Sequence, residues 1–319
     1  MRLGQNPAKF VKDVAKPQRI TVAVLTYIPF LSGFYAETLD VLKICLESIW
    51  AGTTDVPYDL MVFDNGSCAE VTDYLKAQKE TGKIQYLILS EKNLGKGGAW
   101  NIMLAGAPGE IIAYADSDVL FYPGWLSQSV KILETYPKVG MVTSRPFRTM
   151  EQLMTSTIDW ARKEPEAQYQ NGSFLSWEDF SSFNTSLGTS EEQSREWFNT
   201  TTDHRVNFHG VPAQIGASHW QFVAYKSVLQ QFLPFDMSRP MGQVRQLDQR
   251  MNDAGYLRLM TAEPYAQNMS NQVPTQLRKD QKVLQPVKNG GFKKKFFNFA
   301  PVRKVLMTIY DAIFNVYYR

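Results

Sequence analysis

Asp116 and Asp118, separated by a single serine, follow the short apolar run 111–115 (IIAYA). On an extended backbone residues two apart project to the same side, so both carboxylates would face one cation while Ser117 turns away. Neighbouring carboxylates repel each other and lose solvation when partly buried, and a hard divalent cation shared with phosphate oxygens offsets both costs. The chemistry this suggests is stabilisation of a departing phosphate. A helix cap or a solvated loop would use the same two residues, so the elements around them have to decide between the readings.

The run 111–115 has the character of a strand buried on both faces of a parallel sheet. Pro123 is suited to the first position of a helix reaching from Gly124 to about Tyr136. Strand, acidic turn and helix in this order put the aspartates at the carboxyl end of a strand, where ligands bind in open α/β sheets. Upstream, 20–25 (ITVAVL) predicts a first strand that ends at Thr26 and Tyr27, and 38–50 carries Leu39, Leu42, Leu46 and Ile49 at helical spacing. A second strand over 58–63 is stopped by Asp64-Asn65-Gly66-Ser67, which is turn chemistry. A helix over 69–81 and a third strand over 84–89 follow, and then a glycine-rich loop, 93–101 (NLGKGGAWN), leads into a helix.

Downstream, 139–143 predicts a further strand. Strands alternating with helices over short connections argue for right-handed crossovers and a mostly parallel sheet. Residues 145–209 are rich in Ser, Thr, Asn, Glu and aromatics with little periodicity, and read as a long functional excursion or a partly mobile lid. Order resumes at Val211, with a strand over 219–225, a short helix over 226–232, a helix over 242–254 ended by Gly255 and a last strand over 256–260.

The chain has 319 residues and a formal net charge of +3, too small a balance to indicate nucleic acid. Cys45 and Cys68 form neither a metal-spaced set nor a disulfide framework and suit a reducing cytosol. Residues 1–19 lack the apolar core of a signal peptide, and no window holds the roughly 18 apolar residues of a bilayer span, so a cytoplasmic location is expected. The last stretch, 292–319, sets Lys293, Lys294 and Lys295 among phenylalanines and continues with Val302, Val305, Leu306, Ile309, Ile313 and Val316 at helical spacing. Such a helix can lie peripherally on the anionic inner face of a membrane or pack on this domain or on a second subunit of a homo-oligomer. The clustering of basic and aromatic residues leans to the membrane.

Thr26-Tyr27, Asp64-Asn65-Gly66-Ser67, 93–101 and Asp116-Ser117-Asp118 close four successive strands. In this order and spacing, residues 20–146 resemble the inverting nucleotide-sugar glycosyltransferases of family 2, which have the GT-A fold. The resemblance implies a mostly parallel central sheet flanked by helices, with the C-terminal amphipathic helix as an addition. It implies a nucleotide-diphosphate sugar as donor, Thr26 and Tyr27 at the edge of its site and Asp64 on its base or ribose. Asn93, Gly95, Ala99 and Asn101 match the family's Asn-x-Gly-x-x-x-Ala-x-Asn pattern, whereas Gly97 and Gly98 read as close helix packing. Asp116 and Asp118 become the DXD motif, both near a Mn²⁺ or Mg²⁺ ion, with Asp118 the direct ligand.

The family's base is an acidic residue near the start of a helix in the second half, and here the usual acidic pair is missing. Asp248 is the best remaining carboxylate, although a surface Asp paired with Arg245 or Arg250 fits it as well. His219 and Trp220 fall where the floor of the acceptor site is built, with a structural hydrogen bond and aromatic packing as their plainer roles. Arg145 and Arg148 are weaker candidates for phosphate. The expected organisation is an N-terminal tail (1–19), a glycosyltransferase domain (20–267, with a donor half 20–146 and an acceptor half 147–267), a linker (268–291) and the basic segment 292–319. The expected function is metal-dependent transfer of a sugar to a hydroxyl of a glycan or lipid-linked acceptor, with inversion. A catalytically silent, membrane-associated binding protein and a sugar-nucleotide-forming nucleotidyltransferase are the alternatives.

Overall fold

The structure is a computed structural model that describes residues 4–237 and 244–278. Uninterrupted aliphatic runs give the buried strands β1 (Ile20–Thr26) and β2 (Asp59–Asp64), joined through helix α1 (Thr38–Gly52). Helix α2 (Ala69–Glu80), strand β3 (Tyr86–Leu89), helix α3 (Gly95–Gly106) and strand β4 (Ile111–Asp116) complete the first, all-parallel part of the sheet. The short strand β5 (Val119–Phe121), helix α4 (Trp125–Thr135) and strand β6 (Val139–Thr143) follow.

Residues 145–209 are not an irregular lid. They fold into helix α5 (Thr155–Lys163), strand β7 (Ala167–Gly172), helices α6 (Trp177–Ser186) and α7 (Glu191–Thr200) and strand β8 (Asp203–Phe208). Their polar residues obscured the periodicity because several of them cap these helices: Ser176 accepts from the Asp179 N–H, and Ser190 with Gln193 forms a capping box. Strands β9 (Val211–Ile215) and β10 (Gln221–Tyr225), helices α8 (Lys226–Leu229) and α9 (Arg245–Asp253), and strands β11 (Leu257–Thr261) and β12 (Ala266–Asn268) complete the first compact unit, Met1–Pro274. Of the second unit, Thr275–Arg319, only helix α10 (Thr275–Arg278) is described, so the expected basic segment 292–319 lies outside the described residues, as does most of the expected linker.

One ten-stranded sheet runs in the order β3-β2-β1-β4-β10-β6-β11-β9-β8-β7. Strands β3, β2, β1 and β4 are parallel, β10 inserts antiparallel between β4 and β6, β6 and β11 are parallel again, and β9, β8 and β7 form an antiparallel ribbon. Relative to β1, only β10, β9 and β7 run the other way among the described strands. This is the mixed α/β architecture expected, a large sheet with most strands running in one direction and helices packed on it. Among the described residues no helix is long and apolar enough to cross a membrane.

Three local expectations change. The glycine-rich stretch is helix rather than loop from Gly95 onwards. There Gly98 leaves no room for a Cβ, which would come within 2.9 Å of both Met237 and Leu94 side-chain atoms, so α3 lies directly on the chain at 235–237. Pro123 stands before α4 rather than inside it, because Gly124 at φ +86° turns the chain into the helix. Asn268, where the polar composition suggested a linker would begin, ends β12 and pairs with Val119 of β5.

Beneath the end of β4, Trp100 packs edge-on against Tyr114, Phe222 and Phe235, with centroids 5.0, 5.7 and 5.3 Å away. The 145–209 segment has its own anchor. Arg148 and Asp203 pair at 2.7 Å with side chains 2% and 1% exposed, and Arg148 also donates to the carbonyls of Phe198 and Thr201. Burial alone would raise the Asp203 carboxyl, but hydrogen bonds from Arg148 and from the N–H groups of Leu175 and Phe174 outweigh it and hold the pKa below its ordinary value. Asp203→Ala strands the Arg148 charge and is expected to lower the unfolding free energy in urea by about 3–5 kcal/mol. Because the folded pKa is depressed, the wild-type contribution is complete above about pH 4 and is lost as the pH falls through the folded value, so the difference between the two proteins shrinks in acid.

Candidate active site

The parallel register ends β2, β1 and β4 at nearly one level: Thr26 lies beside Asp64, and Leu25 beside Asp116. Thr26 and Leu25 point to opposite faces of the sheet, so Asp64 and Asp116 do too. Asp64 is buried and accepts from the Ser67 N–H at the entrance to α2. Burial raises its pKa against these hydrogen bonds. Thr26 is buried with its hydroxyl unpartnered within the protein, whereas Tyr27 is exposed.

Asn65 organises the next turn. Its Oδ1 accepts from Leu94 N–H at 2.9 Å, and its Nδ2 donates to Asn93 Oδ1 at 3.0 Å and to the Gly95 carbonyl at 3.3 Å. Asn93 Oδ1 in turn accepts from Gly95 N–H at 2.8 Å, which fixes the start of α3. Asn101, two turns on, exchanges hydrogen bonds with the Phe235 backbone at 2.9 and 2.6 Å, so its side chain clamps α3 to the second half of the chain.

The two aspartates of the acidic turn have different surroundings. Strand β4 stops at Asp116 and β5 begins at Val119, so the extended backbone that would aim both carboxylates alike is interrupted by a turn. Asp116 is held by Lys96, whose Nζ is 2.7 Å from each carboxylate oxygen, and by the Tyr114 hydroxyl at 2.5 Å. Lys96 is almost buried over the rings of Trp100 and Tyr114, 5.4 and 5.5 Å from their centroids. The Asn268 side chain favours the charged form of Asp118, whose backbone carbonyl accepts from Met269 N–H at 2.7 Å. Its Oδ1 is buried without a partner. Burial and the charge of Asp116 push the Asp118 carboxyl well above its ordinary value, against the pull of Lys96 and Asn268. A carboxylate so short of positive charge suits a divalent cation, and Asp118 is the better fit of the two because Lys96 and Tyr114 already engage both oxygens of Asp116. Among the described residues no group of three or more His, Cys, Asp or Glu side chains is gathered for a metal, so donor oxygens would have to complete the coordination.

Strand β10 runs antiparallel to β4, with Gln221 beside Ala115, and Asp116 N–H donates to the Trp220 carbonyl at 2.9 Å. The loop carrying His219 and Trp220 therefore stands at the same edge of the sheet as the acidic turn. Trp220 packs against Phe147 and Phe183, which stack on each other, and its indole N–H is buried and unpartnered. His219 Nδ1 is 2.7 Å from Asp248 Oδ2. Asp248 is buried on the first turn of α9, and its Oδ1 is 2.8 Å from Arg258 Nη2, at an angle that makes this an ion pair rather than a hydrogen bond. Asp248 is thus buried against His219 and Arg258 rather than at the surface. Arg145 and Arg148 are buried and hydrogen-bonded within the protein, Arg145 to the Ala266 and Asp179 carbonyls and the Ser182 hydroxyl, so neither serves as a free phosphate ligand. Lys96, Asn65, Tyr114, Asn268 and Arg258 were not singled out in the sequence. Arg258, alone among the apolar residues of β11, is the one that left a signal there, since a central strand carries a charge only with a partner.

The family model "Glycosyl transferase family 2" matches residues 33–188. A Nostoc sp. protein described as an uncharacterized glycosyltransferase is 29% identical over 84 residues, 26% of this chain and 26% of its own. A second uncharacterized glycosyltransferase, from Rickettsia bellii, is 31% identical over 77 residues, 24% of this chain and 11% of that protein. The matched stretch is thus about a quarter of the first relative and about a tenth of the second. Among solved structures, a mannosyltransferase from Pyrobaculum calidifontis in complex with GDP-Man and Mn²⁺ aligns with a TM-score of 0.46 and 18% identity over 78% of this chain and 57% of that one. S. aureus TarS with UDP aligns with a TM-score of 0.45 and 14% identity over 78% and 59%. The matched residues 33–188 include the turns after β2, β3 and β4, so the chain is similar to the family 2 glycosyltransferases over the stretch in which the motifs gave that resemblance.

Replacing Asn65 by Ala strands the Leu94 N–H and loosens the turn that opens α3. The variant is expected to lose about 1–3 kcal/mol of stability. Faster hydrogen exchange at the Leu94 amide would locate the loss in this turn, whereas unchanged exchange there would remove Asn65 from that role.

Proposed function

We propose that the protein transfers a sugar from a nucleotide-diphosphate donor to a hydroxyl group, with divalent metal and with inversion at the anomeric carbon. The observation that carries this reading is the partner-less buried oxygen of Asp118, at the strand edge it shares with Asp64 and Asp116 inside the stretch similar to family 2. Asp64, Thr26 and Tyr27 are assigned to the nucleoside, and the 93–101 segment to the donor, with Asn93 and Gly95 at the ligand side and Asn101 in support. Asp116, neutralised by Lys96 and Tyr114, is assigned to the donor rather than to direct metal contact.

At Asp118 a bound Mn²⁺ or Mg²⁺ supplies Lewis-acid stabilisation of the diphosphate. Lys96 keeps a positive charge fixed beside the pair of carboxylates, which lowers their mutual repulsion before any donor arrives. Inversion requires a proton acceptor on the side of the sugar opposite the diphosphate, and the loop of His219 and Trp220 fits the acceptor side. The acceptor is assigned to hydroxyl-bearing glycans or lipid-linked sugars, the second of these resting on the basic amphipathic character of 292–319.

A panel of nucleotide sugars assayed with Mn²⁺, with Mg²⁺ and with EDTA tests the reading. One donor is expected to be turned over only with metal, and Asp118→Asn to lower that turnover by about 10²–10³-fold, the scale of losing an electrostatic contact to a leaving group. Metal-dependent donor binding without turnover or transfer would favour the silent binding protein instead. Turnover indifferent to EDTA and to Asp118→Asn would overturn the metal assignment.

A further inference from the structure

Resting on that transferase reading, we infer that His219 is the base that takes the proton of the acceptor hydroxyl, with Asp248 and Arg258 as its positioning residues. Asp248 is 3% exposed, with one oxygen against Arg258 and the other against His219, so it has no path of its own to an acceptor. Arg258 is fully buried, donates to the carbonyls of Leu153 and Ala217, and keeps a positive charge on Asp248. An ionised carboxylate can only accept. Beside Arg258 the Asp248 carboxylate accepts, so the 2.7 Å contact is Nδ1–H donating to it, which leaves Nε2 as the ring nitrogen able to take a proton.

The loop that presents this ring is pinned on both sides. Gly216 N–H donates to the Arg258 carbonyl at 2.9 Å, Ser218 N–H to Thr143 Oγ1 at 3.0 Å, and the Trp220 carbonyl accepts from Asp116 N–H at 2.9 Å. The last of these bonds ties the base's loop to the acidic turn. His219 keeps 26% of its side chain exposed, which Asp248 does not. The other two histidines cannot substitute: His204 is bound to Tyr169 and Asn171 on the far ribbon, and His209 sits in the turn between β8 and β9.

In the step, the acceptor oxygen forms a bond to the anomeric carbon as the bond from that carbon to the diphosphate oxygen breaks and its electron pair leaves with the diphosphate. The hydroxyl proton passes to His219 Nε2, the imidazolium is stabilised by Asp248, and the proton is then returned to solvent. No oxidant or further reactant is needed. The same Nδ1–H bond that orients the ring before reaction strengthens when the ring becomes charged.

The test uses the full chain, the donor that the panel identifies, saturating Mn²⁺ and water as acceptor. His219→Ala is expected to lower kcat by about 10²–10⁴-fold with donor affinity, read by calorimetry, within about threefold of wild type; added imidazole should restore part of the rate. His219→Gln, which keeps a hydrogen bond to Asp248, should be equally slow while melting like wild type. Asp248→Asn should lower kcat more than it changes KM and should not respond to imidazole, since its ring is present but wrongly held. An active wild type whose His219→Ala variant keeps kcat within about threefold, or loses donor affinity together with rate, overturns the assignment of the base alone. A wild type inert towards every donor overturns the transferase reading, and this inference with it.

Discussion

Strand β4 sits between two neighbours of opposite direction, and the molecule depends on where it ends. Its parallel bonds to β1 bring Asp116 level with the ends of β1 and β2, and its antiparallel bonds to β10 bring the start of that strand to the same point. The backbone N–H of Asp116, bound to the Trp220 carbonyl, ties the acidic turn to the loop that leads into β10. Any shift in register would reverse the alternation of side chains and move Tyr114 and Asp116 off the face on which Lys96 and Trp100 wait for them. The aromatic packing of Trp100, Tyr114 and Phe222 therefore fixes the electrostatics above it as well as the core.

Three carboxylates in this unit meet a buried cation, and the surroundings of each pair give it a different task. Arg148 and Asp203 are closed on all sides by backbone carbonyls and N–H groups and only hold structure. Lys96 and Asp116 stand at the sheet edge, where a long side chain keeps its charge beside a second, under-compensated carboxylate. Arg258 and Asp248 are as buried as the first pair, but the carboxylate passes its influence outward through a histidine ring. Desolvation is common to all three; what separates them is the number of remaining hydrogen-bond sites and the direction these face.

The part of the chain that forms β1 to β4 was largely legible in the sequence because its strands are apolar runs followed by residue types with local meaning: Asp64 before a turn, Asn93 before a helix, Asp116 after IIAYA. Residues 145–209 were not, since serines and glutamines that cap helices look like the polar residues of a loop until the helix is known. Gly97 and Gly98 were read as close helix packing and do lie where α3 meets Phe235 and Met237, whereas the start of that helix at Gly95 was hidden because a run of glycines looks like a loop. The partners of the acidic turn come from remote positions, Lys96 on α3 and Asn268 on β12, and no local pattern announces a contact made only by tertiary packing. The pairing of His219 with Asp248 across different elements is of the same kind, although each residue was conspicuous alone.

The acidic turn is closed by the end of its own unit. Strand β12 pairs with β5, Met269 N–H binds the Asp118 carbonyl, and Tyr265 is tied by backbone bonds to both Tyr122 and Ser144. A ribosome releases the parallel strands β1 to β4 long before it releases these residues, so the nascent chain can build most of that part of the sheet while the turn at Asp118 is still open. Assembly of the site is thereby postponed to the closing of a long-range contact, one of the slower events in folding. An incompletely synthesised chain has the parallel strands without the clasp, and a finished one acquires the last support of Asp118 only when nearly all of its unit is already in place.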